Sequence, residues 1–160
     1  KVKGRVELIP ISDKFTIMID YAHNAVSLES ILETLREYNP GRLVSLFGCG
    51  GDRSKERRFE MGEVSGNMAD LTIITSHNPR SEDPQAIIND IKTGIDKTTG
   101  KYVEIIDRKE AIRYAIMHAE PGDVIVLAGK GHEDYQEIEG VRYHFLDREV
   151  VQETVKKLHM

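Results

Sequence analysis

Short apolar runs that alternate with helical patterns are the strongest structural signal in this chain of 160 residues. The runs FTIMIDY, RLVSLFG, DLTIITS and DVIVLAG are apolar on both faces, as strands are when helices cover both sides of a sheet. A fifth run, YVEIID, is weaker. We therefore predict buried strands at residues 15–21, 42–48, 70–76 and 123–129, and a weaker fifth strand at residues 102–107.

The segments between these runs carry apolar residues at helical spacing. One stripe lies within residues 28–35 and a second within residues 87–95. Pro84 suits the first position of the second helix, and Asp83 before it can cap the free backbone N–H groups. Residues 108–119 repeat the helical pattern.

The pattern changes near the end of the chain. DYQEIEGVRYHFLDR contains two polar-alternating runs around Glu139 and Gly140, which predicts a β-hairpin at an edge of the sheet. A last helix is expected at residues 147–158. The alternation as a whole predicts an α/β, Rossmann-like fold, with a mostly parallel sheet, helices on both faces and a C-terminal β-hairpin.

In sheets of this kind, ligands bind beyond the carboxyl ends of the strands. Four loops are expected there: DYAHNA, GCGGDR, SHNPR and GKGHED. We expect SHNPR and GKGHED to follow neighbouring strands and to carry much of the function.

Composition excludes several classes of partner. A formal net charge of −5 argues against binding to nucleic acid or to an anionic membrane surface. Cys49 is the single cysteine, so neither an intrachain disulfide nor a cysteine metal cluster is expected. No apolar run is long enough to cross a bilayer, and no signal peptide is evident, so we expect a cytoplasmic protein. Because the sequence does not begin with Met, we expect it to be a fragment.

The loop GCGGDR contains three glycines that would let backbone N–H groups approach a phosphate at a helix N-terminus. It is neither a dinucleotide fingerprint, since Arg53 stands where the third glycine belongs, nor a P-loop. A tight turn without a ligand is the alternative. The basic residues that follow could bind carboxylate or phosphate, or could form a solvated helix face. They are Arg53, Lys55, Arg57 and Arg58.

Two further loops carry charged residues that could bind a ligand. In SHNPR, Pro79 restricts the backbone and Arg80 could recognise a carboxylate, although a simple Asn-Pro turn would explain the same residues. In GKGHED, Glu133 could hold an ammonium group, and a plain turn after the strand is the alternative.

The loop DYAHN offers Asp20, Tyr21, His23 and Asn24, a mixture that could line a nucleotide pocket. The structural alternative makes Asn24 the N-cap of the next helix, and both roles can hold together. No metal-ligand spacing accompanies the loop, and no metal site is predicted.

Taken in order, GRVE, DYAHN, GCGGDR, NPR followed by EDP, and GKGHEDYQ resemble the C-terminal domain of Mur ligases. Within that family they most resemble the MurE type, the UDP-N-acetylmuramoyl-tripeptide synthetases. The resemblance covers essentially the whole chain. It implies that residues 1–13 are a linker from a missing central domain and that residues 14–160 are the C-terminal domain.

The resemblance also implies an activity. In such ligases ATP phosphorylates the D-glutamate carboxylate of UDP-MurNAc-L-Ala-D-Glu, and the amine of a diamino acid attacks the acyl phosphate to form an amide bond. This domain would bind the amino acid, here meso-diaminopimelate, for peptidoglycan synthesis. Related possibilities are a lysine-adding enzyme, a murein-peptide ligase, a cyanophycin synthetase, or a free-standing module that binds nucleotide or amino acid. A dinucleotide oxidoreductase would share only the fold class.

Site residues follow from the same resemblance. The positions implied for diaminopimelate are Arg58, His77, Asn78, Pro79, Arg80, Gly129 and Glu133. The positions implied for ATP are Arg5, Asp20, His23, Asn24 and Arg53. The family motif of diaminopimelate enzymes is D-N-P-R, and His77 replaces its aspartate here. Arg80 still favours diaminopimelate, because lysine has no distal carboxylate.

The catalytic apparatus is not found in this sequence. It has no GxxxxGK[ST] loop, no UDP-binding domain and no candidate for the carbamylated lysine that assists magnesium binding in the family. We therefore expect ATP and Mg²⁺ to bind mainly outside this chain, on central and N-terminal domains of the same polypeptide. The fragment alone should be inactive.

Overall fold

The computed structural model describes residues 6–160, so Arg5, one of the predicted ATP-binding residues, lies outside the described part. From the second to the sixth strand, strands and helices alternate. The elements are β1 (Val6–Ile9), β2 (Thr16–Asp20), α1 (Ala25–Arg36), β3 (Arg42–Phe47), α2 (Lys55–Met68), β4 (Leu71–Ile74), α3 (Pro84–Ile95), β5 (Lys101–Glu104), α4 (Arg108–Met117), β6 (Asp123–Ala128), β7 (Tyr135–Ile138), β8 (Val141–His144) and α5 (Asp147–Lys157).

The main sheet has six strands in the order β1-β2-β6-β3-β4-β5. Five strands are parallel, and β1 pairs antiparallel with β2 at one edge. This confirms the predicted fold class. SHNPR follows β4 and GKGHED follows β6, but β3 lies between them. The expectation that these two strands are neighbours is therefore wrong, because β6 returns to the middle of the sheet.

Helices cover both faces of this sheet. The stripes of α1 and α3 pack with Met61 of α2 on one face. On the other face, apolar residues of α4 and α5 pack over Ile17, Ile73 and Ile125. The predicted start of α3 is also found, since the Asp83 side chain accepts a hydrogen bond from the backbone N–H of Gln85 at 3.1 Å.

The predicted hairpin forms, but it does not extend the main sheet. β7 and β8 make a separate two-stranded sheet. The backbone of Arg80 pairs with Ile138 of this sheet in an isolated bridge. Arg80 N donates to the Glu137 carbonyl at 3.0 Å, and Glu139 N donates to the Arg80 carbonyl at 2.8 Å. The hairpin pairs with the SHNPR loop instead of an edge strand.

Residues 6–9, which fall in the predicted linker, form β1 at the edge of the sheet. The division of the chain at residue 13 stays a prediction. Within residues 6–160, no helix is both long enough and apolar enough to span a membrane.

Two glycines bring α2 and α3 into close contact. A β carbon at Gly94 would lie 2.0 Å from the carbonyl oxygen of Phe59, and one at Gly62 would lie 2.2 Å from that of Ile91. Because these neighbours are backbone atoms, they cannot move aside cheaply. The closeness of α2 to α3 therefore depends on both glycines.

We expect Gly94→Ala to lower the free energy of unfolding by about 2 kcal/mol, the usual cost of forcing a methyl group into a packed interface. Thr93→Ala, on the exposed side of the same turn, is the matched control and should leave stability nearly unchanged. Urea denaturation of both variants measures the difference. Equal stability of the two variants would contradict the close helix contact.

Candidate functional site

One cavity of about 230 Å³ lies beyond the carboxyl ends of β2, β3, β4 and β6. The four loops singled out in the sequence line it together, so residues far apart along the chain meet there. The lining residues are Tyr21, His23, Gly48, Cys49, Gly50, Arg53, Arg57, His77, Asn78, Arg80, Gly129 and Glu133.

Asn78 connects the loops around this cavity. Its fully buried side chain donates from Nδ2 to Glu133 Oε1 at 3.0 Å and accepts at Oδ1 from the backbone N–H of Glu137 at 2.8 Å. Its own carbonyl accepts from the N–H of Gly51 at 2.8 Å. One residue thus fixes SHNPR against the glycine loop, the GKGHED loop and the hairpin.

Arg80 is held in an uncommon backbone conformation, with φ of +53°. Outside glycine this left-handed region is sparsely populated, and here the hairpin bonds on both sides of the residue maintain it. The side chain crosses to the glycine loop, where Nη1 donates to the Gly51 carbonyl at 3.0 Å. Nε lies 3.5 Å from Glu137 Oε1. A guanidinium is therefore fixed at the cavity wall.

Glycines allow the loops to approach this closely. A β carbon at Gly51 would lie 1.8 Å from the carbonyl oxygen of Pro79, so these two residues must be in backbone contact. Gly129 has φ of +112°, and a β carbon there would lie 3.1 Å from His77 Cδ2. The predicted residues Pro79 and Gly129 thus shape the cavity through their backbones.

Glu133 receives two donors on one carboxylate oxygen. Oε1 accepts from Asn78 and lies 3.3 Å from the ammonium of Lys130, a side chain that is fully buried. Burial, and next the charge of Arg108, lower the pKa of Lys130, whereas Glu133 opposes that change. Lys130 also donates to the Tyr135 carbonyl. The carboxylate is consequently held in one orientation at the cavity.

His77 presents an unpartnered imidazole to the cavity. Neither ring nitrogen has a hydrogen-bond partner among the described residues, and Nε2 lies 3.9 Å from Glu133 Oε1. Burial, together with the charges of Arg108 and Lys130, lowers the pKa of His77 to about 3. The ring is neutral at physiological pH, so it can donate and accept a hydrogen bond but adds no charge.

Arg58 is not among the residues that line the cavity, and the contact with the amino acid that the sequence resemblance implies for it stays a prediction. Its guanidinium is 1% exposed and pairs with Glu82 at 2.7 Å and Asp90 at 2.9 Å. It also donates to the Gly50 carbonyl at 3.1 Å, which supports the glycine loop from behind. Arg57, the preceding residue of α2, faces the cavity instead.

The predicted ATP-binding residues divide into two groups. His23 and Arg53 line the cavity. Asp20 is buried and accepts from the backbone N–H of Ala22 at 2.8 Å. Asn24 is the N-cap of α1, in a capping box with Ser27, as the structural alternative predicts. Asp20 and Asn24 thus shape their loop, and their contact with ATP stays a prediction.

The charges around the cavity suit a ligand that carries both carboxylate or phosphate groups and an ammonium group. Arg53, Arg57 and Arg80 line it together with Glu133. Cys49 also lines it, but burial raises the pKa of this thiol to about 12, so it stays protonated and is a poor nucleophile. Within the described residues, no group of three His, Cys, Asp or Glu side chains is placed to hold a metal ion.

Comparison with known proteins identifies the family. Residues 4–131 match the family model described as Mur ligase, glutamate ligase domain. The chain belongs to the Mur ligase family, and the resemblance noted in its motifs is confirmed.

The relatives are UDP-N-acetylmuramoyl-L-alanyl-D-glutamate–2,6-diaminopimelate ligases. The chain is 52% identical to that of Caldanaerobacter subterraneus subsp. tengcongensis over 95% of its own length, and 46% identical to that of Clostridioides difficile over 98%. A solved structure of a ligase with this name matches 99% of the chain at 42% identity, with a TM-score of 0.93. In each case the chain spans 32% of the relative's length.

The low pKa of His77 makes stability depend on pH. As the pH falls below about 6.5 the unfolded chain binds a proton on this ring, whereas the folded chain does so only near pH 3. Protons therefore favour unfolding in this window, and stability is lost as the pH falls through it. We expect His77 to account for about 2 kcal/mol of the stability lost between pH 7 and pH 5.

Urea denaturation at both pH values tests this expectation. His77→Gln should lose about 2 kcal/mol less than the wild type over the same interval, because glutamine does not titrate. His118→Gln, at an exposed position, is the control and should behave like the wild type. Equal losses in the wild type and in His77→Gln would show that the imidazole is not held neutral.

Proposed function

We propose that this chain is the C-terminal, amino-acid-binding domain of an ATP-dependent ligase that adds meso-diaminopimelate to UDP-MurNAc-L-Ala-D-Glu in peptidoglycan synthesis. The observation that carries the proposal is the meeting of Arg80 and Glu133 at one cavity, with Asn78 bonded between their loops. The names and identities of the relatives support the same substrate.

Diaminopimelate carries a carboxylate and an ammonium group at its distal stereocentre. A guanidinium binds a carboxylate through two parallel N–H donors, which suits Arg80. Glu133 suits the ammonium, and its orientation is already fixed by Asn78 and Lys130. His77 is neutral and adds no charge, so the lining offers one carboxylate, Glu133, for an ammonium group and several guanidinium groups for carboxylates.

ATP would enter from the side of DYAHN and the glycine loop. His23 and Arg53 line the cavity there, and the guanidinium of Arg53 suits a phosphate oxygen. When bound, ATP supplies the phosphoryl group that activates the carboxylate of the dipeptide substrate. We propose that the remaining domains of the ligase bind UDP-MurNAc-dipeptide, Mg²⁺ and most of ATP, and that the enzyme works in the cytoplasm.

Arg80→Ala in the complete ligase tests the substrate assignment. Without the guanidinium the distal carboxylate loses a charged hydrogen bond worth about 1.5–3 kcal/mol, so we expect the KM for diaminopimelate to rise roughly 10- to 150-fold. The KM for lysine, which lacks that carboxylate, should change much less. Steady-state kinetics with both amino acids measures this difference.

Arg36→Ala is the matched control for loss of an arginine. Arg36 forms a half-exposed ion pair with Asp70 at the end of α1, away from the cavity, and its replacement should leave both KM values unchanged. An unchanged KM for diaminopimelate in Arg80→Ala would remove Arg80 from the site. A wild-type ligase that incorporates lysine but rejects diaminopimelate would refute the proposed substrate.

A further inference from the structure

A buried ion pair lies beneath the amino-acid cavity, between the first residues of α4 and α5. Arg108 donates from Nε and Nη2 to the two carboxylate oxygens of Asp147, at 2.9 and 2.8 Å. Both side chains are fully buried. Neither residue lines the cavity, and neither is singled out by the sequence motifs.

The same guanidinium also binds the chain just before two functional loops. Nη1 donates to the carbonyl of Ser76 at 3.2 Å, and Nη2 donates to the carbonyl of Ala128 at 3.3 Å. Ser76 precedes His77, and Ala128 precedes Gly129. Arg108 therefore joins the carboxyl ends of β4 and β6, which β3 keeps apart in the sheet.

Stability alone does not account for this arrangement. A buried ion pair loses the hydration of both charges, and apolar residues of similar volume often replace such a pair without loss of stability. Arg108 also stands at the N-terminus of α4, where the helix dipole disfavours a cation. Asp147, the first residue of α5, supplies the compensating negative charge. Apolar residues of α5 such as Val150 and Val151 hold that helix against the core.

We infer that Arg108 and Asp147 are a positioning pair for the amino-acid site. The pair fixes the peptide groups that lead into His77 and Gly129, and so sets the spacing between the SHNPR loop and the GKGHED loop. This inference rests on the proposed function for the identity of the ligand. The claim that the pair joins the two loops does not depend on which ligand binds.

The complete ligase with Arg108→Met and Asp147→Leu together separates positioning from stability. The paired apolar residues leave no unpaired charge, so we expect the variant to fold, with a melting temperature lowered only by the loss of the two carbonyl contacts. The KM for meso-diaminopimelate should rise at least about 10-fold, as expected when loop geometry is lost. The KM for ATP should change less than about two-fold, since ATP binds mainly to other domains.

Arg108→Lys is the second variant, in case the double replacement disturbs folding. Lysine keeps the charge, but its single ammonium cannot reproduce the bidentate contact together with both carbonyl contacts. Buried groups lose hydrogen bonds, so we expect a lower melting temperature in a protein that still folds, together with a raised KM for diaminopimelate.

Hydrogen exchange in the same proteins gives a readout that needs no substrate. The N–H groups of Arg80, Gly129 and Glu133 donate to backbone carbonyls and should exchange at least about 10-fold faster in the double variant. The strand amides of β3 should stay protected. The inference would be overturned if exchange became faster throughout the domain, or if it became no faster in the two loops.

The kinetic outcomes are equally distinct. A folded double variant, or a folded Arg108→Lys variant, with wild-type KM for diaminopimelate would also overturn the inference. If the wild-type ligase shows no activity with diaminopimelate, the proposed function fails, and the exchange measurement still decides whether the pair positions the loops.

Discussion

The carboxamide of Asn78 makes the contact on which the candidate site depends. It donates to Glu133 and accepts from Glu137, and the backbone carbonyl of the same residue accepts from the N–H of Gly51. A buried amide with both ends satisfied has one preferred orientation, because any rotation leaves a donor or acceptor unpaired at a cost of about 1–3 kcal/mol. These contacts hold the SHNPR, GKGHED and glycine loops in fixed positions relative to one another. The orientations of Arg80 and Glu133 depend on those positions.

Much of the fold could be predicted from periodicity. The buried strands and the helices α1, α3 and α4 appear where apolar spacing places them, because each buries a continuous face, and α5 closes the chain as expected. The strand order could not be predicted, since β6 enters between β2 and β3 through contacts between distant segments. α2 has no apolar stripe because glycine and serine residues let its backbone approach α3.

The site was predictable only in part. The four loops meet because parallel strands end on one side of the sheet, and Arg80 and Glu133 reach the cavity as expected. The sequence could not show that Arg57 lines the cavity while Arg58 lies buried behind the glycine loop, because the orientation of α2 depends on its packing with α3. It gave no sign of Arg108, whose partners come from distant strands and a later helix.

A crystal structure of the complete ligase with meso-diaminopimelate would test the central claim most directly. The account predicts that the distal carboxylate lies within hydrogen-bond distance of the Arg80 guanidinium and that the distal ammonium contacts Glu133. An amino acid bound outside this cavity, or bound in it with neither contact, would contradict the account.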